Sequence, residues 1–266
     1  MFEGFYGLTA TPFTRGIAPE KIFLPPELEE VCVRMEYVAQ RHLFAVLTGD
    51  CGTGKSTILR RLDSALDPHH FRVLYISDSK LTPRNFYKLL LEQLGIVAKW
   101  NRADAKRQLH EKLSIMQSVD GVSCVCVVDE SHLLSYEMLE EVRFLLNMKF
   151  DSVSPIALIL SGQTELWQKL NLKRCAAIKQ RIDIQSTLNH YDCSRTGDYI
   201  RHQLNAAGAS GEIFTDKAIG KIFEYSDGIP RVIDKVSTNV LIYGSQNKLR
   251  LIDDHAVSTV LECEFS

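Results

Sequence analysis

Gly49-Asp50-Cys51-Gly52-Thr53-Gly54-Lys55-Ser56 is the stretch on which the reading of this chain turns. It matches G-x-x-x-x-G-K-S in full, and its flanks change periodicity across it. Before it, Leu43 to Thr48 (LFAVLT) is a short apolar run ending in glycine, the pattern of a buried strand. After it, Ile58, Leu59, Leu62, Ala65 and Leu66 make a helical stripe. In a strand–glycine turn–helix context, successive backbone N–H groups turn toward a phosphate and the helix N-terminus adds its positive end. Lys55 is therefore expected to reach the β- and γ-phosphates of ATP, and the Ser56 hydroxyl to ligand Mg²⁺. Gly49, Asp50, Cys51, Gly52, Thr53, Gly54 and Thr57 complete the expected cradle.

Working outward, Phe71 to Ser77 (FRVLYIS) reads as a second strand, Val122 to Val128 (VSCVCVV) as a third and Ile156 to Leu160 (IALIL) as a fourth. Ile182 to Ser186 is a weaker fifth. Helices are expected from Pro26, where Leu28, Val31, Met35 and Val38 share a face. Further helices are expected near Arg84 to Leu94 with Gly95 as cap, over Ala103 to Gln117, and through Met138, Leu139, Val142, Leu145 and Leu146. Strands alternating with helices at this spacing predict an α/β fold with a five-stranded parallel sheet and helices on both faces. After His190 no strong strand appears. Helices are expected at Arg195 to Ala207, Thr215 to Ser226, Pro230 to Tyr243 and Asp253 to Glu262. The division expected is a loop-like, aromatic and Pro-rich segment over 1–25, a nucleotide-binding α/β domain over 26–190, and a small all-helical lid over 191–266.

The third apolar run leads straight into Asp129 and Glu130. Two carboxylates closing a buried strand are costly unless they have work at the sheet edge. Asp129 is placed to hold the Mg²⁺ shell and Glu130 to polarise the attacking water as general base. Ser161-Gly162-Gln163 ends the fourth strand, so Gln163 can hydrogen-bond the γ-phosphate or the water if that strand lies between its two partners. Pro230 suits a first helical turn, and Arg231 would project from the same start with a fork suited to phosphates. Arg181 precedes the fifth strand, with Lys173, Arg174 and Lys179 nearby. A cation here can serve a neighbouring subunit's γ-phosphate, and Arg181 is the favoured one of the four.

Composition narrows the class. Lys and Arg number 31 against 33 Asp and Glu, so no global charge draws this chain to nucleic acid and any such binding needs a local patch. No apolar run reaches about 18 residues, and the start MFEGFYGL lacks a basic stretch before an apolar core, so neither a membrane span nor a signal peptide is read. The 7 cysteines include no CxxC pair. Cys124 and Cys126 alternate inside an apolar run as strand residues do, and a reducing cytoplasm is expected.

Six segments together resemble one branch of the AAA+ ATPases, that of ExeA-like secretion ATPases and of the MuB, TniB and TnsC type of transposition regulator. They are FYGLTATPF from Phe5, TGDCGTGKS from Thr48, VVDESH from Val127, ILSGQTEL from Ile159, KQRIDI from Lys179 and SDGIPRVI from Ser226. The aromatic box, the GQ-x-E-L turn and the GIPR element are the more specific of these. The resemblance implies a P-loop AAA+ core of three layers followed by a helical lid. It also implies Walker B roles for Asp129 and Glu130, a first sensor at Gln163, a second at Arg231 and a trans-acting arginine at Arg181. Ser131-His132 departs from the Ala-Gln that often follows the acidic pair, and His132 reads as a histidine on a helix surface, the alternative being one that tunes the site.

ExeA-like proteins are expected to continue into a transmembrane segment and a wall-binding domain, and this chain stops after the lid. The expectation is therefore an ATP-dependent, DNA-binding regulator of transposition that assembles with itself as a ring or filament and recruits a transposase. The competing readings are a secretion or pilus assembly motor and a signalling ATPase that uses nucleotide only as a conformational switch. Lys80, Arg84, Lys99, Arg102, Lys106 and Arg107, with Trp100 among them, form the basic stretch expected to meet duplex DNA without reading its sequence.

Overall fold

Residues 2–78, 81–146 and 154–264 are described by the structure, a computed structural model. The chain divides into two units, one of Pro26–Cys51 with Lys55–Leu188, the other of Met1–Pro25, Gly52–Gly54 and Asn189–Ser266.

In the first unit the strands are β1 (Phe44–Gly49), β2 (Phe71–Ile76), β3 (Ser123–Val128), β4 (Ala157–Gly162) and β5 (Ile184–Leu188). They form one parallel sheet in the order β2-β3-β4-β1-β5. β1 and β4 are buried at every position, which is why both read as continuous apolar runs. β2 and β5 lie at the edges and alternate. Ile184, Ser186 and Leu188 are the more buried residues of β5, while Gln185 and Thr187 are exposed. That alternation is weak in sequence, and the expected strand starting at Ile182 is in fact shifted two residues later. Asp183 accounts for the shift: its carboxylate accepts from the Phe44 amide at 2.8 Å, and its own amide donates to the Phe44 carbonyl at 2.8 Å, capping the start of both strands.

Helices Pro26–Arg41, Lys55–Ala65, Pro83–Gln93, Arg102–Ile115 and Tyr136–Leu145 stand where the apolar stripes place them. Thr82, Asn101 and Ser135 cap three of them with their side-chain oxygens. Two short helices, Thr164–Leu170 and Ala176–Lys179, were not legible from periodicity. Cys124 and Cys126 lie buried in β3, and burial pushes the Cys124 thiol up to about 11.

In the second unit the helices are Cys193–Ala206, Asp216–Ser226, Pro230–Gln246 and Asp254–Glu264, around Ile200, Ile222, Ile233, Val236, Val240 and Val257. The segment before Pro26 is largely the loop that its composition predicts, but it also carries short helical turns and core residues. Phe2–Tyr6 is a helix, and Tyr6, Leu8 and Phe13 are core residues of this unit. The Tyr6 hydroxyl donates to the Leu249 carbonyl at 3.0 Å, and the Thr9 amide to that of Ala207 at 2.8 Å. A Cβ at Gly244 would collide with the Tyr6 hydroxyl, so this glycine in the last turn of Pro230–Gln246 is what admits the aromatic ring. The partners that bury this segment lie some 200 residues away, beyond the reach of any local pattern.

Candidate nucleotide site

Lys55, Ser56, Asp129, Glu130 and Gln163 all follow the C-terminal ends of β1, β3 and β4. Because β4 runs between β1 and β3, Gln163 at its tip stands between the glycine-rich loop and Asp129, the condition its expected role required. Lys55 opens its helix with its side chain buried. Its ammonium donates to the Gly49 carbonyl at 2.7 Å and the Asp50 carbonyl at 2.9 Å. Desolvation lowers its pKa, and the nearby Glu130 and Asp129 partly restore the charged form. Thr53 is buried, Cys51 and Ser56 are exposed, and Thr57 is half-buried on the first helical turn. Asp50 is tied across to the next strand end by the Thr164 hydroxyl at 3.0 Å.

Asp129 is the hub. Its carboxylate is buried and accepts from four directions: the Ser161 hydroxyl at 2.8 Å, the Tyr75 hydroxyl at 2.8 Å, the Glu130 amide at 3.0 Å and the Ser56 hydroxyl at 3.4 Å. A buried carboxylate is tolerable only when it is met in this way. The structure thus brings together Ser56 and Asp129, the two residues expected at Mg²⁺, and a hydroxyl beside a carboxylate is the hard oxygen set that this ion takes. Tyr75 and Ser161 were missed as partners. Ser161 belongs to the strand-end motif and could have been nominated from it. Tyr75 is an outward residue on an edge strand, and nothing in the pattern marks it.

Glu130 has its backbone in the left-handed region at φ 51° and its side chain half-exposed. A non-glycine residue there is uncommon and is held by its surroundings. The strain turns the chain into the 3₁₀ turn Ser131–Leu133, pinned by the buried Ser131 hydroxyl on the Val128 carbonyl at 2.6 Å. That turn corrects the reading of His132. Its side chain is only 12% exposed, with Nδ1 3.5 Å from Glu130 and 3.4 Å from the Gln163 amide.

Arg231 lies in the second unit, as do Gly52–Gly54 at the tip of the loop. Its amide donates to the Gly52 carbonyl at 3.3 Å, and its side chain is exposed. Gly52 has φ 90°, and a Cβ there would come within 2.8 Å of the Arg231 Cβ, so both conformation and contact demand glycine.

The four candidate fingers are sorted by their surroundings. The Arg174 guanidinium lies 3.2 Å from the centre of the Tyr136 ring, and the Lys179 ammonium 5.6 Å from that of Trp167. Lys173 is exposed in a 3₁₀ turn, and Arg181 is half-exposed in the turn before β5.

The cations of the basic stretch differ in what they already contact. Lys80 lies outside the described residues. Arg102 and Lys106 reach the buried Glu141 carboxylate at 3.2 and 3.6 Å, and Arg107 pairs with Asp104 at 2.8 Å and Glu111 at 4.0 Å. Arg84 stacks 4.3 Å from the centre of the Trp100 ring and donates to the Trp100 carbonyl. With Lys88 and Lys99 these two line a cavity of about 450 Å³ whose indole is 83% exposed.

Residues 38–170 match the family model described as AAA domain. The chain is 28% identical over 246 residues to general secretion pathway protein A of Aeromonas hydrophila, covering 91% of this chain but only 44% of that protein. Cdc6p of Pyrobaculum aerophilum shares the fold with TM-score 0.73 at 17% identity, over 94% of this chain and 69% of that one. The ORC1 protein of Aeropyrum pernix, solved in complex with DNA, does so with TM-score 0.67 at 15% identity, over 91% and 66%. Among the described residues no helix is long and apolar enough to cross a membrane.

Proposed function

The chain belongs to the AAA domain family of ATPases, and from that premise we propose that it hydrolyses ATP as a self-assembling, cytoplasmic, DNA-binding regulator of transposition that recruits a transposase. The observation that carries the ATPase reading is the meeting of Lys55 and Ser56, after β1, with Asp129 and Glu130, after β3, across the end of the intervening β4. In this reading Lys55 and the loop amides bind the β- and γ-phosphates, and Ser56 and Asp129 hold Mg²⁺, which supplies charge neutralisation. Glu130 takes the proton of the attacking water as the new O–P bond forms and the β–γ bridging oxygen leaves with its electron pair. Gln163 orients the water or γ-phosphate, Arg231 is assigned to the nucleotide phosphates, and Arg181 serves the neighbouring subunit's site.

DNA binding is supported by the cavity of Arg84, Lys99 and Trp100, whose cations suit phosphates and whose exposed indole suits a base, Lys88 being paired there with Glu92 at 3.6 Å. The GQ-x-E-L and GIPR resemblance is to a branch that holds both transposition regulators and secretion ATPases, so it supports the transposition role without selecting it. A second reading, an ATPase assisting assembly of a secretion apparatus, is favoured by the relative in A. hydrophila, which covers most of this chain. ATP hydrolysis and filament or ring formation, measured with and without random-sequence duplex, test the choice. Stimulation and assembly on DNA support the first reading. Hydrolysis indifferent to DNA, with no DNA bound in ATP, moves the assignment to the second.

A further inference from the structure

Nδ1 of His132 faces two groups with opposite demands. Oε2 of Glu130 lies 3.5 Å away and requires a proton on Nδ1, whereas the backbone N–H of Gln163 approaches to 3.4 Å and requires a lone pair. An imidazole nitrogen offers one or the other and never both. With a lone pair, His132 accepts from Gln163 and turns electron density toward the Glu130 carboxylate. With a proton, it donates to Glu130 and sets N–H against N–H at Gln163.

The surroundings hold the backbone still, so that the choice falls on the proton. The Lys169 ammonium donates to the His132 carbonyl at 3.2 Å and also to that of Leu134. Gly162 packs against the turn so closely that a Cβ there would come within 3.0 Å of the His132 amide nitrogen. Glu130 and Lys169 are the charged groups that meet residue 132 among the described contacts.

Resting on the assignment of Glu130 as general base, we propose that His132 is a positioning residue that binds either the Glu130 carboxylate or the Gln163 amide, and that its Nδ1–H form parks the base. In the lone-pair state Glu130 is released to accept the water proton. In the Nδ1–H state the carboxylate is spent on a charge-assisted hydrogen bond and accepts that proton poorly. The strand-end sensor and the base are thereby coupled through one atom.

The test compares wild type with His132→Gln in the full chain. Steady-state ATP hydrolysis is measured as a function of pH, between about 5.5 and 8.5, with binding of a fluorescent ATP analogue measured alongside. Glutamine carries its acceptor and donor on separate atoms and so serves Gln163 and Glu130 together. Wild-type kcat is expected to rise with pH while KM stays level, and His132→Gln to show a flat kcat with nucleotide affinity unchanged. His132→Asn, which keeps both atoms on a shorter side chain, should flatten the profile in the same way. A wild-type profile in both variants, or an effect confined to KM or to nucleotide binding, overturns the proposal. Glu130→Gln separates the two readings: full hydrolysis in that variant overturns the assignment of the base itself, whatever His132 does.

Discussion

The Tyr75 hydroxyl donates to Oδ2 of Asp129 at 2.8 Å, the same oxygen that the Ser56 hydroxyl approaches to 3.4 Å. Burial and the neighbouring Asp129 push the phenol up to about 12, so it remains a donor throughout the working pH range. The side-chain amide of Gln93 grips the Tyr75 backbone at 2.9 Å on both its N–H and its carbonyl, fixing the edge strand from which the ring reaches inward. Tyr75→Phe removes one charge-assisted bond, worth about 1.5 kcal/mol, from the carboxylate. The Mg²⁺ concentration giving half-maximal hydrolysis should rise roughly tenfold, the equivalent of that energy. An unchanged Mg²⁺ titration would mean that Tyr75 does not orient Asp129.

Lys55→Ala and Glu130→Gln should fail in different ways. The first removes the buried cation from the loop and should abolish binding of ATP. The second keeps the loop intact and should retain ATP while turnover is lost. Isothermal titration alongside phosphate release distinguishes them, and ATP affinity surviving in Lys55→Ala would contradict the cradle.

Arg181→Ala should bind ATP nearly as wild type does and hydrolyse it slower by a factor of about 10³ or more, the usual scale of an arginine finger. Mixed with Glu130→Gln subunits it should recover part of the activity, since each variant supplies what the other lacks. No recovery at any ratio argues against a site shared between chains.

The two halves of the basic stretch should separate experimentally. Replacing Arg84, Lys99 and Trp100 with alanine should weaken duplex binding in ATP and flatten the salt dependence by roughly 0.9 for each phosphate no longer neutralised. Replacing Arg102 and Lys106 instead strands the Glu141 carboxylate in the core beside Tyr87. That change should cost about 3 kcal/mol of stability, visible in a denaturant melt, with little effect on DNA affinity in the surviving folded protein. Equal DNA effects from both sets would restore the single patch.

Asp234 offers a pH test in the helical unit. Burial raises its carboxyl from 3.8 to about 6, and it accepts from the Tyr199 hydroxyl at 2.7 Å. A carboxyl whose folded pKa lies above its unfolded one favours folding only while protonated. This contribution is therefore present below the unfolded value and is lost as pH rises to about 6. Asp234→Asn keeps an acceptor for Tyr199 without the charge. It should melt with wild type near pH 4 and be more stable by roughly 2 kcal/mol at pH 7.5. A constant difference across that range would mean that the carboxyl does not titrate on unfolding.

The strands β1, β3 and β4, the amphipathic helices and the loop from Gly49 to Ser56 were legible in the sequence alone, because their information is local: continuous apolar runs, a 3.6-residue stripe, and glycines at a set spacing. So were Lys55, Ser56, Asp129 and Glu130, each adjacent in sequence to the element that presents it. Tertiary structure decided what depends on distant neighbours. The strand order set β4 between β1 and β3, and with it the hydroxyls of Tyr75 and Ser161 on Asp129. The left-handed turn at Glu130 carried His132 from an expected surface to a place between Glu130 and Gln163. Folding of the first segment onto helices some 200 residues later made core residues of Tyr6, Leu8 and Phe13. A charge pattern says how many cations a stretch holds, but only the buried Glu141 shows which of them are already spent, since a carboxylate taken out of water claims the nearest positive charges for itself.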